Sequence, residues 1–166
     1  MSMQTRPSTE QMTEPTGSPR SLASRSGLGS DARDPLFESI YVLAIRLYET
    51  KNYPQALRLM EYLLRVDAPT FKHVFAVALI LQADQQLERA LAFYERSALL
   101  DLNEDPRVTL GQAQCLILLK EYSQALPCLA QTWERLKGPG VSPQMRNQLV
   151  KTCSALMDRV GQLTKT

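Results

Sequence analysis

The chain has 166 residues, a formal net charge of +2 and an apolar content of 44%, which leaves room for one domain of ~100–130 residues plus a tail. So small a net charge gives no electrostatic case for a nucleic-acid or membrane-surface partner. No run approaches ~18 consecutive apolar residues and the N-terminus lacks an apolar leader core, so neither a membrane span nor a secretory signal is expected.

Residues Met1 to Pro35 are dominated by Ser, Thr, Pro and Gly, and Leu22 and Leu28 are their only large branched aliphatics. Arg6, Arg20, Arg25 and Arg33 balance Glu10, Glu14, Asp31 and Asp34. Such a segment cannot bury enough apolar surface to offset its ordering entropy. A disordered arm is expected over 1–35, with Ser21 to Ser26 the part able to order on a partner or a second copy.

From Leu36 onward one helical pattern is written three times. Ala56, Ala90 and Ala125 recur 34 and 35 residues apart. Twelve residues before them stand Ala44, Ala78 and Ala113, nine before them Leu47, Leu81 and Leu116, and four after them Met60, Tyr94 and Leu129. A period near 34 with this spacing is that of the tetratricopeptide repeat (TPR), a pair of antiparallel helices. The alanines let the two helices of a unit approach closely. The large residues fill the space between units, which must stack to share a core.

Repeats are expected over 36–69, 70–105 and 106–137. Asp34-Pro35 is a start signal, a capping carboxylate followed by a first-turn proline. The first helix runs to Glu49, Lys51 to Pro54 form the turn, and the second helix reaches about Arg65. The second repeat turns near Asp84 to Gln86. Asn103 to Pro106 separates the units and carries the one extra residue of the longer spacing. In the third repeat Pro127 is expected in the first turn of the second helix, where a missing donor is tolerated, and Gly138-Pro139-Gly140 is a stop. A last helix over 142–164 starts at Ser142-Pro143. Its Met145, Leu149, Cys153, Leu156, Val160 and Leu163 recur at intervals of three and four, so one face is apolar and suits an end cap. The expected fold class is all-α: a TPR solenoid of three helix-pair repeats plus a C-terminal capping helix, with a disordered N-terminal arm.

Chemistry-bearing motifs are absent. His73 is the only histidine, expected at the surface at the start of a repeat helix. Cys115, Cys128 and Cys153 have no metal-ligand spacing and read as small apolar residues in a reducing compartment. There is no P-loop, no GxGxxG and no metal motif, so no enzyme, cofactor or metal is expected.

The first helix of each TPR pair lines a concave surface, and its residues are found by counting back from the anchors. Fifteen before are Tyr41, Phe75 and Leu110; eleven before are Ile45, Leu79 and Gln114; eight before are Tyr48, Gln82 and Ile117. All but Gln82 and Gln114 are apolar or aromatic, and such a face left bare would be an unusually large apolar patch. The arm or a second copy could cover it, but an external polypeptide is the favoured occupant, and Phe75→Glu the expected groove-selective lesion. Carboxylate-clamp TPR domains need Lys and Asn where Tyr41 and Ile45 stand, and Arg107 alone is no clamp. Apolar side chains of an extended segment suit the face better, aligned by Gln82 and Gln114.

The run Ser39-Ile40-Tyr41-Val42-Leu43-Ala44, then Tyr48-Glu49-Thr50-Lys51-Asn52-Tyr53 and Leu63-Leu64-Arg65-Val66-Asp67, resembles the opening repeat of the class II chaperones of bacterial type III secretion. Leu99 to Arg107, followed by Ala113-Gln114-Cys115-Leu116, resembles that family's third-repeat entry. Two features depart from the family pattern: the residue added before Pro106, and an arm richer in Ser and Pro than an ordered dimerisation helix. The resemblance implies a cytoplasmic chaperone of hydrophobic translocator proteins, which holds an extended segment with Pro-x-Leu-x-x-Pro anchors in the groove and masks it until export. A homodimer is also implied, and neither nucleic acid nor membrane is a partner. The alternatives are a TPR chaperone of another secretion component, such as the needle subunit, or a TPR scaffold or transcriptional coregulator.

Overall fold

The computed structural model describes residues 34–164. Apart from Asp34 and Pro35, the expected arm, including Ser21 to Ser26, lies outside the described residues. The helices are α1 (Pro35–Glu49), α2 (Tyr53–Val66), α3 (Phe71–Ala83), α4 (Leu87–Leu100), α5 (Pro106–Leu118), α6 (Tyr122–Arg135) and α7 (Pro143–Leu163). The described residues contain no strand. Each helix up to α6 packs on the next, the first helices of successive repeats touch (α1 on α3, α3 on α5), and α7 closes on α6 and α5. This is the TPR solenoid with a terminal helix.

The helix starts follow from local chemistry. Asp34 Oδ1 accepts from the Leu36 N–H at 2.9 Å, Asp105 Oδ1 from Arg107 at 2.9 Å and Ser142 Oγ from Met145 at 3.3 Å. Each of these caps is followed by a proline in the first turn, where the missing N–H would have had no intrahelical acceptor. Thr70 caps α3 by accepting from His73.

The turns inside the repeats are one turn built three times. Lys51, Gln85 and Lys120 take left-handed backbone, with φ of 62°, 60° and 64°. The next residue then donates back to the leucine five positions earlier: Asn52 to Leu47 at 2.8 Å, Gln86 to Leu81 at 2.9 Å and Glu121 to Leu116 at 2.8 Å. That 6→1 bond closes a Schellman motif and satisfies a carbonyl the helix end would leave orphaned. No glycine serves it in any repeat. The longer link between the second and third repeats is handled differently. Asp101 caps the loop, accepting from Asn103 at 3.2 Å and Asp105 at 2.6 Å. Glu104 turns the chain at φ 52°, and the Arg135 guanidinium lies 3.7 Å from Asp101.

The alanine columns are fully buried in the core. Ala44, Ala56, Ala78, Ala90, Ala113 and Ala125 are all 0% exposed. Met60, Tyr94 and Leu129 are buried beside them. Cys153 and Val160 bury α7 against the third repeat, with Leu149 and Leu156 partly covered; Leu163 stays exposed. Cys115 and Cys153 are buried and Cys128 half-buried, all as free thiols. Burial pushes the Cys115 thiol up to about 11, so it stays protonated at neutral pH.

Two local expectations are corrected. His73 is buried, not on the surface. It sits on α3, which packs against α1, α2, α4 and α5, so even its first turn is covered. The ring lies 5.7 Å from that of Tyr41, and Nδ1 lies 4.0 Å from Asp67. Pro127 lies inside α6 rather than in its first turn, because the Schellman turn starts that helix at Tyr122. Pro127 therefore leaves the Ser123 carbonyl without its helical donor, at an exposed position.

Two outcomes test this packing. Ala90→Trp should abolish cooperative unfolding and most helical circular dichroism, because a fully buried site between two helices has no room for an indole. Lys120→Gly should raise stability by about 0.5–1 kcal/mol in urea titrations, because glycine takes the left-handed turn position without Cβ strain.

Candidate functional site

All nine residues expected to line the groove stand on the first helices, α1, α3 and α5. Phe75, Leu110 and Ile117 are 7%, 5% and 6% exposed; Tyr41, Ile45, Tyr48, Leu79, Gln82 and Gln114 are half-buried. The large apolar groups most open to solvent lie elsewhere, at Leu36, Leu43, Leu99, Leu102 and Leu118. Phe75 stacks on Phe71 at 5.4 Å and meets Tyr94 edge-on at 5.8 Å. Phe75→Glu would therefore place a charge in the core. It would damage the fold as well as any groove, and it is not a selective lesion.

A basic residue of one repeat rests on an aromatic ring of the repeat before. Lys72 Nζ lies 3.8 Å from the centre of the Tyr41 ring, and the Arg107 guanidinium lies 5.3 Å from that of Phe75. Lys72 and Arg107 hold the same place in successive repeats, eighteen residues before Ala90 and Ala125. A cation over a π face is attracted by the ring quadrupole, worth ~0.5–1 kcal/mol at a partly exposed site. Lys72 is held in place by Glu38, the matching residue of the first repeat, through bonds of 2.8 and 2.9 Å.

Arg107 is held by Asp105, its Nε bonding both carboxylate oxygens at 3.0 Å and its Nη2 one of them at 2.5 Å. Burial pushes the Asp105 carboxyl upward, but the Arg107 bonds outweigh that and hold its pKa below the usual value. The same bonds raise the pKa of Arg107. Burial, with Glu38 adding, raises the Tyr41 phenol, so Tyr41 presents a neutral hydroxyl.

A polar row crosses the first helices further along. The Tyr94 hydroxyl donates to Gln82 Oε1 at 2.5 Å, and Gln82 Nε2 donates to Gln114 Oε1 at 2.9 Å. Tyr94 belongs to α4, a second helix, yet its hydroxyl reaches the side chains of α3 and α5. Gly111 makes this possible. A Cβ at that position would lie 2.3 Å from Tyr94 Cζ and 2.7 Å from its oxygen. Sequence reasoning found Gln82 and Gln114 but took Tyr94 as inter-repeat filling and passed over Gly111. A signal was available: glycine inside an apolar helical pattern costs ~1 kcal/mol against alanine, so a reason for it is to be sought. The corresponding residues of the other repeats are Val42 and Ala76.

No group of three or more metal-ligating side chains occurs among the described residues, and no described helix is long and apolar enough to cross a membrane. A cavity of about 840 Å³, with Asp105 and Arg107 among its lining residues, is bounded by the entry to α5, the end of α6 and the α6–α7 connection.

No family model and no curated protein matches the chain. Solved structures do. The type III secretion translocator chaperone SycD of Yersinia enterocolitica, described as an alternative dimer, matches with a TM-score of 0.72 and 22% identity, over 81% of this chain and 98% of that one. SycD of the same organism in complex with a peptide of the translocator YopD matches with a TM-score of 0.70 and 22% identity, over 81% and 98%. PcrH from Pseudomonas aeruginosa matches with a TM-score of 0.67 and 22% identity, over 84% and 99%. The fold is thus shared over nearly the whole length of these proteins. At this identity the likeness is one of fold.

Gly111→Ala should lower stability by about 1–3 kcal/mol despite alanine's better helix propensity, because the Tyr94 ring must move; thermal unfolding followed by circular dichroism checks it. Tyr94→Leu in the same chain should restore most of the loss. The Asp105 pKa is depressed on folding, so its pairing stabilises the fold above the unfolded carboxylate value and is lost as pH falls through the lower folded value. Arg107→Met should accordingly flatten the fall in stability seen in urea titrations below about pH 4.

Proposed function

We propose that this chain is a cytoplasmic bacterial chaperone of type III secretion, without enzymatic activity, belonging to the class II family. It holds an extended segment of a hydrophobic translocator protein against the first helices of its repeats, and so masks membrane-active surface before export. One observation carries the reading: the three repeats and terminal helix share the fold of SycD along 98% of that protein, and SycD in that structure is in complex with a peptide of its translocator. The Asp105-Pro106-Arg107 turn and the Ala113-Gln114-Cys115-Leu116 run give it independent support from sequence.

The nine residues from Tyr41 to Ile117 are the proposed contact set, with Tyr41, Ile45, Tyr48 and Leu79 the apolar members accessible enough to meet a ligand. A segment burying three apolar anchors gains ~1.5–3 kcal/mol for each side chain before ordering costs, so its affinity is about micromolar at the tightest. Self-association into a homodimer is part of the same proposal.

The test is co-expression of the full chain with the large apolar-rich proteins encoded beside it, read as soluble complex on a sizing column. One of them should co-elute, and Tyr48→Ser, at a half-buried site, should weaken that complex at least tenfold while leaving the helical melting curve in place. A stable chaperone that forms no complex with any of them would sink the translocator reading and favour a needle-subunit client or a scaffold.

A further inference from the structure

The polar row from Tyr94 to Gln114 has a direction. Burial keeps the Tyr94 phenol protonated, and its O–H donates to Gln82 Oε1. With its oxygen facing Tyr94, Gln82 has its nitrogen facing Gln114, and that nitrogen donates to Gln114 Oε1. The donors therefore run one way, from α4 through α3 to α5, and the row ends on the side-chain nitrogen of Gln114. Among the described residues that nitrogen donates to no protein group, and Gln114 is half-buried. It is thus an oriented pair of N–H donors on a partly covered surface that is otherwise apolar and aromatic.

We propose that the Gln114 side-chain amide is a backbone-reading donor, placed by Tyr94 and Gln82 to bond one main-chain carbonyl of the bound segment. The assignment rests on the chaperone reading above and deepens it: side-chain pockets select apolar residues, and Gln114 sets the register of the segment along the helices. The chemistry of the ligand fits a donor. An extended segment lying on helices has no sheet partner for its carbonyls. Every proline it contains removes one N–H and leaves the carbonyl, so such a segment carries more acceptors than donors. An amide donor held on a hydrogen-bonded row also loses little rotamer freedom on binding.

Gly111 belongs to the same device. It lets the Tyr94 ring pass close to α5, so that the hydroxyl reaches Gln82. Tyr94 and Gln82 are positioning residues, and Gln114 makes the contact.

The experiment uses the full chain and a fluorescein-labelled octapeptide with Pro-x-Leu-x-x-Pro spacing, read by fluorescence anisotropy. A companion series replaces each non-proline amide in turn by an ester, which weakens the carbonyl as an acceptor. Gln114→Glu keeps an oxygen to accept from Gln82 and removes only the terminal donors; Gln114→Met removes them without adding charge. Both should bind the parent peptide about five- to tenfold more weakly. In the wild-type protein one ester position should carry an acceptor penalty, and in both variants that penalty should vanish. Tyr94→Phe, which keeps the ring over Gly111, should show a smaller loss at the same ester position.

Wild-type affinity in both Gln114 variants would overturn the proposal and leave the chaperone reading standing. So would an ester penalty that persists unchanged in them. Tighter binding by Gln114→Glu would also overturn it, since the bound segment would then be offering a donor at that position. No binding of the octapeptide by wild-type protein would overturn the proposal and leave the chaperone reading to the co-elution test.

Discussion

The structure depends on six alanines that have no exposed surface at all. Ala44 and Ala56, Ala78 and Ala90, and Ala113 and Ala125 are paired on the first and second helices of each repeat. A larger side chain at any of them would push the pair apart, and each pair is the unit that stacks on the next. Dispersion attraction falls off steeply with separation, so a gap of even ~1 Å forfeits up to half of it. Once the pairs are closed, the large residues of the second helices have one place to go: between repeats, against the first helix of the unit that follows.

Tyr94 shows how one departure inside that scheme creates chemistry. Met60 and Leu129, its counterparts, are apolar to the tip and simply fill space. Tyr94 occupies the same volume but carries a hydroxyl that burial would leave costly if unpaired. Gln82 answers it, and Gln114 answers Gln82. A glycine on α5 gives the ring its room. Four residues on three helices thus turn a packing position into an ordered polar row among apolar neighbours. The cations Lys72 and Arg107, each set over an aromatic ring of the repeat before, order the other end of the same helices.

Much of this was legible in the sequence. The alanine and leucine columns, the capping Asp-Pro and Ser-Pro pairs and the Gly-Pro-Gly stop are legible because each signal acts locally or repeats at a fixed period; the start of α6 is not, and Pro127 falls inside that helix rather than in its first turn. The nine positions expected to line a groove follow from register alone, and all of them stand on α1, α3 and α5. Their burial could not be named that way. Phe75 reads as one of three equivalent aromatic or apolar residues, yet only the contacts with Phe71, Tyr94 and Arg107 make it a core residue. His73 reads as a surface residue at a helix start, and is buried because α3 is enclosed by four other helices.

What the sequence by itself determined is the repeat, its count, its capped helix starts and its lack of catalytic motifs, all set by spacing along the chain and by the conformational preferences of single residues. The left-handed turns at Lys51, Gln85 and Lys120 mark the limit of that determination. Their residues are not those that favour such backbone, and the turn is imposed by the helices on either side. What only the tertiary structure decided is which groups meet across repeats: the cation over the ring, the Tyr94 hydroxyl over Gly111, and the row that ends at Gln114. Those contacts join residues 12 to 32 positions apart, and their geometry depends on how closely the helices stack, a quantity no single repeat contains.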